Sequence, residues 1–441
     1  MRKERRHEVQ DMSERRELPT GRLGRFARLA ALGAKTSVSL LTSRDGRAAA
    51  EQAAEVLGQL RGLAAKVGQM ASYVDGVVPP GQRAAYEAAL SSLRAASPSS
   101  SPEAIRDLVE VELGAPIDRL FAEWESEAFA SASIGQVHRA RLFDGRQVAV
   151  KVQHPGIDRA VESDLQNTGM IEALLGRVVP RGVRTSHVFD DIRARFREEL
   201  DYRHEAEQQR AFAALHAGDA HIHIPEVVAE RSTRRVLCSE YVSGGSLEQA
   251  ALVSVEERRH FAETLWRFVF KGTLVGGRFN ADPHPGNFLF HDSGRITFLD
   301  FGCVQLLDAE RRRKARALHS AAIARDELAF RKAVVALLES RGGSYEEKVV
   351  AYTQRCFAPL FASPFHMSTE FVAALVQGIG ELKAQLFAKD RSFVMPPPGM
   401  AFMNRLQFGF YSVLAKLDVE ADYAAVEQRF LGEPVPAGFG G

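Results

Sequence analysis

The chain has 441 residues and a formal net charge of +1; 45% of its residues are hydrophobic and 26% are charged. These values describe a globular protein with two or three core-bearing units, and the near-neutral charge argues against a general nucleic-acid binder. Three cysteines (Cys238, Cys303 and Cys356) lie far apart without Cys-x-x-Cys spacing, which predicts a reducing, cytoplasmic compartment and no zinc or disulfide framework. Because no uninterrupted apolar run reaches about 18 residues, the sequence predicts no transmembrane span.

The N-terminal region is predicted to form a charged, disordered tail over residues 1–20 and a helical extension over residues 21–125. Residues 23–41 are amphipathic, with basic residues at their start. They fit packing on the rest of the protein, and a peripheral contact with an anionic membrane surface is the alternative. A polar linker follows at residues 97–102, where Ser101 is predicted to cap a helix that has Pro102 at its first position.

A predicted strand with the sequence QVAVKV, residues 147–152, carries a single lysine, Lys151. It is similar to the V-A-I-K strand of protein kinases, whose lysine contacts nucleotide phosphates, although an ordinary strand with a solvent-facing lysine has the same pattern. The preceding segment, ASASIGQVH, stands where kinases carry a glycine-rich loop over the phosphates. With only one glycine left, we expect nucleotide to bind in an altered pose. The predicted nucleotide-binding residues of this segment are Ala130, Ser131, Ala132, Ser133, Ile134, Gly135 and Val137.

One long helix is predicted over residues 190–215, which contain no Pro or Gly and are rich in Arg, Glu, Ala and Gln. On such a helix Asp201 and Glu205 are four residues apart and share a face. Glu199 would lie about 120° around the axis from Glu205, so that the two can serve different partners. The spacing does not decide which carboxylate meets Lys151.

The apolar strand predicted over residues 236–242 leads into the sequence SGGS, which indicates a hinge between two lobes. Backbone groups from Glu240 to Val242 are the predicted adenine contacts. We divide the remaining chain into a small lobe at residues 126–242 and a large lobe with C-terminal helices at residues 243–441, in which Ser246 is expected to cap the first helix.

The sequence FNADPHPGNFLFHDSGRITFLDFG, residues 279–302, carries the strongest functional signal. Asp282 precedes Asn287 by five residues, and a Leu-Asp-Phe-Gly run places Asp300 further on, in the order and spacing of the kinase phosphoryl-transfer residues. Mg²⁺ prefers hard oxygen ligands, which Asn287 and Asp300 would supply. The carboxylate of Asp282 would orient the attacking group. Two short apolar runs, at residues 288–290 and 296–299, lie between these positions and strengthen the signal.

Protein kinases follow this run with an activation loop that ends in A-P-E and helps to bind peptide substrates. Here Cys303 leads within a few residues to Asp308, where a helix is predicted to start. The sequence therefore argues against a peptide as the substrate.

Four motifs in one order resemble the UbiB/AarF-type atypical kinases, a family associated with ubiquinone and other isoprenoid-lipid metabolism. They are KVGQ at residues 66–69, ASASIGQVH at residues 130–138, ELD at residues 199–201 and NADPHPGN at residues 280–287. The resemblance covers about residues 19–306. It implies an α+β, protein-kinase-like fold with two lobes and an N-terminal helical extension. The family's loop often has three alanines, and Ser131 replaces the middle one here.

The resemblance also implies roles for residues that spacing alone leaves open. Lys66, Gly68 and Gln69 would belong to an element that folds over the active site and occludes the groove for a peptide. Glu199 and Asp201 would anchor this element. Glu205 would be the helix-borne partner of Lys151, and together with Asp282 these two form the predicted catalytic set.

The leading hypothesis is an ATP-binding, Mg²⁺-dependent ATPase or kinase that acts on a small molecule or lipid, with ATP and Mg²⁺ as cofactors. Its candidate partners are a lipid or isoprenoid-quinone precursor and an anionic membrane surface, and no nucleic acid. A true protein kinase is a second hypothesis, which the missing activation loop disfavours. A nucleotide-sensing scaffold with negligible turnover is the rival from another class; the presence of all three polar residues of the phosphoryl-transfer set argues against it.

Overall fold

The computed structural model describes residues 100–132, 134–166, 197–387 and 400–433. Several sequence predictions fall outside these ranges. They are the charged tail, the amphipathic segment at residues 23–41, the KVGQ element with Lys66, Gly68 and Gln69, and Ser133 of the loop. Within the described ranges, no helix is long and apolar enough to cross a membrane.

The small lobe is built on an antiparallel sheet in the order β1-β3-β4-β6, with β2 pairing on β3. Its central strand β4 has the sequence QVAVKVQ, and alternate residues point to opposite faces of a strand. Val148, Val150 and Val152 are therefore buried, and they pack in one core with helix α1. Lys151 consequently lies on the opposite face. The elements up to the end of this lobe are, in chain order, α1 (Pro102–Leu113), α2 (Ile117–Leu120), β1 (Glu123–Trp124), β2 (Ala130–Ala132), β3 (Gly135–Arg141), β4 (Gln147–Gln153), α3 (Ile157–Gln166), α4 (Tyr202–Leu215), β5 (Ile222–His223) and β6 (Val236–Glu240). Of these, β5 pairs with a strand of the large lobe.

Helix α4 corrects the prediction of one continuous helix over residues 190–215. The described part begins with a helical segment at residues 197–199, the chain turns at Leu200, and a new helix begins at Tyr202. Asp201 has φ −125° and ψ 94°, and its carboxylate accepts a hydrogen bond from the backbone N–H of Arg203. Aspartate is a strong N-cap because its side chain satisfies a free N–H of the first turn. Asp201 is thus the N-cap of the helix rather than an interior residue, and it lines the same cleft as Glu205.

The large lobe is mainly helical, and its core includes Trp266 of α6 and Phe410 of α12, whose ring centroids are 6.0 Å apart. The predicted caps at Ser246 and Asp308 are confirmed, since each side chain accepts a hydrogen bond from the first turn of its helix. The helices are α5 (Leu247–Ala250), α6 (Val255–Leu274), α7 (Ala309–Ile323), α8 (Glu327–Leu338), α9 (Gly343–Cys356), α10 (Ala358–Phe361), α11 (Thr369–Phe387), α12 (Met400–Leu417) and α13 (Tyr423–Leu431).

Short strands of this lobe hold the loops at the cleft. Strands β8 and β9 form an antiparallel hairpin, with β5 parallel to β9 at its edge, and β7 pairs with β10. These pairs bring the chain before Asp282 next to the chain after Asp300. The strands are β7 (Arg278–Asn280), β8 (Phe288–Phe290), β9 (Ile296–Phe298), β10 (Val304–Leu306), β11 (Phe365–His366) and β12 (Glu420–Ala421), with 3₁₀ turns at Pro285–Asn287 and Asp292–Gly294. A further 3₁₀ turn, Ala229–Arg231, precedes strand β6 of the small lobe.

Candidate active site

An ion pair between Lys151 and Glu205 joins the central strand of the small lobe to helix α4. The Lys151 ammonium lies 2.8 Å from Oε1 and 2.9 Å from Oε2 of Glu205, and both side chains are largely buried. Asp300 approaches from the large lobe, with its Oδ2 atom 3.9 Å from the same ammonium. Spacing left the partner of Lys151 open, and the fold brings Glu205 to it.

The charge of Lys151 is set by its two carboxylate neighbours. Burial lowers its pKa, but the carboxylates of Asp300 and Glu205 outweigh this effect, so its pKa lies above the ordinary value. The lysine is therefore a cation across the physiological pH range, which suits a group that binds phosphate oxygens.

Asp300 is held in a left-handed backbone conformation, with φ 58°. This region is uncommon for residues other than Gly, and Asp is among those that tolerate it best. Its Oδ1 atom accepts a hydrogen bond of 3.0 Å from the backbone N–H of Gly302. A methyl group at Gly302 would lie 3.3 Å from both Asp300 Oδ1 and Glu205 Oε2, so the glycine packs closely against the two carboxylates. The turn thus orients the carboxylate toward Lys151.

Asn280 links the loops that carry the other two polar residues. Its amide nitrogen donates to the backbone oxygen of Asp300 at 2.7 Å, and its amide oxygen accepts from the backbone N–H of Asp282 at 3.1 Å. Asn287 in turn donates to the backbone oxygen of Asp282 at 3.1 Å. These bonds fix Asp282, Asn287 and Asp300 relative to one another. Asn280 was not among the predicted site residues, although it lies inside the NADPHPGN motif and could have been identified from that position.

The predicted loop over the phosphates is the hairpin of strands β2 and β3, in which Ala132 pairs with Gly135. The tip includes Ile134, which is 3% exposed. A Cβ atom at Gly135 would lie 2.2 Å from the backbone oxygen of Val152 on the neighbouring strand. Glycine is therefore required at this position by the close approach of two backbones. Val137 pairs with Lys151 across β3 and β4, so the loop and the lysine share one sheet.

The predicted hinge follows strand β6. Glu240 pairs with Val148 at the end of the ladder, and the backbone N–H of the next residue, Tyr241, donates to Gln147. The Glu240 carboxylate lies 3.2 Å from Nε2 of His223, so its side chain points to the large-lobe hairpin. Val242 follows in irregular structure, half-buried. The backbone of this segment thus runs from the sheet into the large lobe.

The ELD motif lies at the rim of the same cleft, which is lined by residues that include Lys151, Glu199, Asp201 and Asp300. Asp201 caps helix α4 and pairs with the guanidinium of Arg203 at 2.7 Å. Sequence reasoning also missed Tyr202, which lines the cleft and follows Asp201 directly. Its only sequence signal was its place at the start of the helix that carries Glu205.

The lysine–glutamate pair, the glycine-containing hairpin above it and the loops with Asp282, Asn287 and Asp300 below it define a protein-kinase-like site between two lobes. The chain belongs to the ABC1 atypical kinase-like family, whose domain matches residues 92–334. This confirms both the UbiB/AarF resemblance and the α+β, kinase-like fold class.

Individual relatives agree with this assignment. The chain is 30% identical over 331 residues to the atypical kinase COQ8B, mitochondrial, of Rattus norvegicus, covering 70% of this chain and 62% of the relative. It is 34% identical over 240 residues to an aarF domain-containing protein kinase, chloroplastic, of Arabidopsis thaliana, covering 54% and 33%. The chain thus spans about one-third to two-thirds of the length of these relatives.

A solved structure extends the likeness beyond the family domain. The structure of Rv3197 from Mycobacterium tuberculosis in complex with erythromycin superimposes with a TM-score of 0.61 and 25% sequence identity. The match covers 95% of this chain and 100% of that one.

Proposed function

We propose that the protein binds ATP with Mg²⁺ and transfers or hydrolyses the γ-phosphoryl group as an atypical kinase or ATPase. The observation that carries the proposal is the approach of Asp300 to the Lys151–Glu205 pair, while hydrogen bonds of Asn280 and Asn287 hold the loop of Asp282 beside that of Asp300. Family membership supports a kinase-type reaction.

The residues present fit a Mg²⁺ ion. Oδ1 of Asp300 accepts the hydrogen bond from the Gly302 N–H, while Oδ2 points toward Lys151. Asp300 and Asn287 both carry the side-chain oxygens that Mg²⁺ prefers as ligands. Among the described residues no three His, Cys, Asp or Glu side chains form a metal cluster. This suits a metal that is held by one or two protein oxygens and by substrate phosphates. When bound, the ion would neutralise charge on the phosphates.

The protein's own residues would divide the work of phosphoryl transfer. Lys151, oriented by Glu205, would bind phosphate oxygens, and the hairpin from Ala130 to Gly135 would cover them. Backbone groups of Glu240 and Val242 would contact adenine. Asp282 would accept a hydrogen bond from the attacking hydroxyl or water and orient it for in-line attack.

The acceptor we propose is a small molecule or a lipid, with an isoprenoid-quinone precursor as the leading candidate. Within the described residues, Gly302 leads through strand β10 directly to helix α7, so this part of the chain has no long activation segment. Lys66 and Gln69 would close the peptide groove from the N-terminal extension, against Glu199 and Asp201. The erythromycin bound to Rv3197 suggests that bulky amphipathic molecules be included among the compounds tested.

The test is Mg²⁺-dependent ATP hydrolysis by the purified protein, with and without anionic-lipid vesicles. Wild type should turn over ATP, faster with lipid. Asp282→Asn should bind nucleotide without turnover, and Asp300→Asn should lose Mg²⁺-nucleotide binding. Equal ATP turnover in the wild type and both variants would refute the assignment.

The same assay tests the scaffold alternative. A scaffold would bind nucleotide tightly, form no phosphorylated product and keep its cellular function in Asp282→Asn. The complete set of Asp282, Asn287 and Asp300 favours the enzyme.

A further inference from the structure

We propose that the hydroxyl group of Tyr202 donates a hydrogen bond to a phosphate oxygen of the bound nucleotide. The inference deepens the proposed function and rests on it. It assigns a nucleotide contact to a residue outside the four motifs that carry the family resemblance.

Tyr202 lies between the Lys151 ammonium and the β2–β3 hairpin, the two groups proposed to contact the phosphates. It is the first residue of helix α4, and the Lys151 ammonium lies 5.1 Å from the centroid of its ring. Its hydroxyl would lie 2.9 Å from a Cβ atom at Gly135, so it sits directly beneath the β2–β3 hairpin. Tyr202 lines the cleft together with Ile134 and Asp300.

Among the described residues, the Tyr202 hydroxyl has no hydrogen-bond partner, although the residue is only 2% exposed. Burying a polar group without a hydrogen bond carries a penalty, so native structures almost always provide a partner. The hydroxyl oxygen is covered by the β2–β3 hairpin in this structure, so a ligand in the adjoining cleft would supply the missing acceptor when its binding shifts the hairpin.

A phosphate oxygen fits this hydroxyl better than an uncharged acceptor. Burial, together with the nearby carboxylates, raises the pKa of Tyr202 above its ordinary value, so the phenol keeps its proton and remains a donor. Hydrogen bonds from neutral donors to charged oxygens are about twice as strong as neutral pairs. The Lys151 cation beside the ring favours the same anionic ligand.

A second tyrosine provides a matched control. Tyr423 is also fully buried, and its hydroxyl also lacks a hydrogen-bond partner among the described residues. It lies in the large-lobe core, with its ring 4.3 Å from that of Trp266. Replacing either tyrosine by phenylalanine removes one buried hydroxyl, but only Tyr202 lines the cleft.

The experiment compares wild type, Tyr202→Phe and Tyr423→Phe as full chains, by thermal unfolding and by titration with MgADP and with adenosine. Without ligand, both variants should unfold at the wild-type temperature or about 2–4 °C above it, because an unsatisfied hydroxyl has been removed. Tyr202→Phe should weaken MgADP binding about tenfold to a hundredfold and leave adenosine binding unchanged. Tyr423→Phe should bind both ligands as wild type does.

The outcomes separate this inference from the function on which it rests. Wild type that binds MgADP, with Tyr202→Phe binding it equally well, would overturn the contact and leave the proposed function standing. A lower unfolding temperature of ligand-free Tyr202→Phe would show that the hydroxyl bonds within the protein. An equal loss of adenosine binding would show a general distortion of the cleft. Absence of MgADP binding by wild type would overturn both proposals.

Discussion

A buried histidine is predicted to make the fold sensitive to acid. His216 is 3% exposed at the C-terminal end of helix α4, and its ring stacks on those of Phe212 and Phe268, with centroids 6.3 and 5.2 Å away. Neither ring nitrogen has a hydrogen-bond partner among the described residues. Phe268 in turn stacks on Phe298, just before Asp300, so this aromatic stack connects the helix of Glu205 to the loop of Asp300.

The size of the loss of stability in acid follows from the pKa of His216. Burial, aided by the positive charge of Lys271, lowers the pKa of His216 from 6.5 to about 3. Between these values the unfolded chain binds one more proton than the folded one, so the free energy of unfolding falls as the pH falls. At pH 5 the loss relative to neutral pH is about 2 kcal/mol, because each pH unit below 6.5 contributes about 1.4 kcal/mol. His216→Phe should remove this loss.

The measurement is urea unfolding of wild type and His216→Phe at several pH values from 8 to 5, followed by tryptophan fluorescence. Every other titrating group is shared, so the variant serves as the control for the remaining pH dependence. The stability difference should grow in favour of the variant by about 2 kcal/mol over this range. Parallel curves for the two proteins would refute the reasoning, since they would show that His216 does not remain neutral in the folded state.

Three further substitutions test contacts at the cleft. Gly135→Ala should destabilise the protein by about 2 kcal/mol or more in unfolding experiments, because its Cβ would lie 2.2 Å from a backbone oxygen of the adjacent strand. Gly409→Ala should lower ATP turnover, because its Cβ would lie 2.6 Å from Pro283, next to Asp282. The control is Gly380→Ala, at a helix position with open space, which should leave turnover unchanged. Asn280→Ala removes two hydrogen bonds that hold the loops of the site, and turnover should fall about tenfold or more while the fold is retained, as judged by circular dichroism. Wild-type rates in Gly409→Ala or Asn280→Ala would show that these contacts do not position the loop.

Much of the fold could be predicted because its signals are local. The apolar, β-branched sequence QVAVKV predicted a strand that carries Lys151, and the strand forms over Gln147–Gln153. Ser101, Ser246 and Asp308 predicted three helix starts, because a cap needs only a side-chain acceptor and the N–H groups of the next turn. The strand predicted to run to residue 242 ends at Glu240, since its length depends on the neighbouring strand.

The prediction of a continuous helix over residues 190–215 was wrong because the helix break depends on a contact far away in the sequence. Helix propensity and the absence of Pro and Gly are averages over a window, and they do not detect a break. At this break Asp201 bonds to the N–H of Arg203, and the backbone N–H of Tyr202 donates to Arg234 in another part of the chain. The second contact is long-range, so no local pattern records it.

The sequence by itself determined the order of the motifs, the spacing of Asp282, Asn287 and Asp300, and thereby the kinase-like family. Only the tertiary structure decided that Glu205 meets Lys151 and that the Tyr202 hydroxyl lies beneath the hairpin. The reason is physical. Spacing along one strand or helix fixes which residues share a face, whereas distances between elements far apart in sequence depend on how their buried faces pack together.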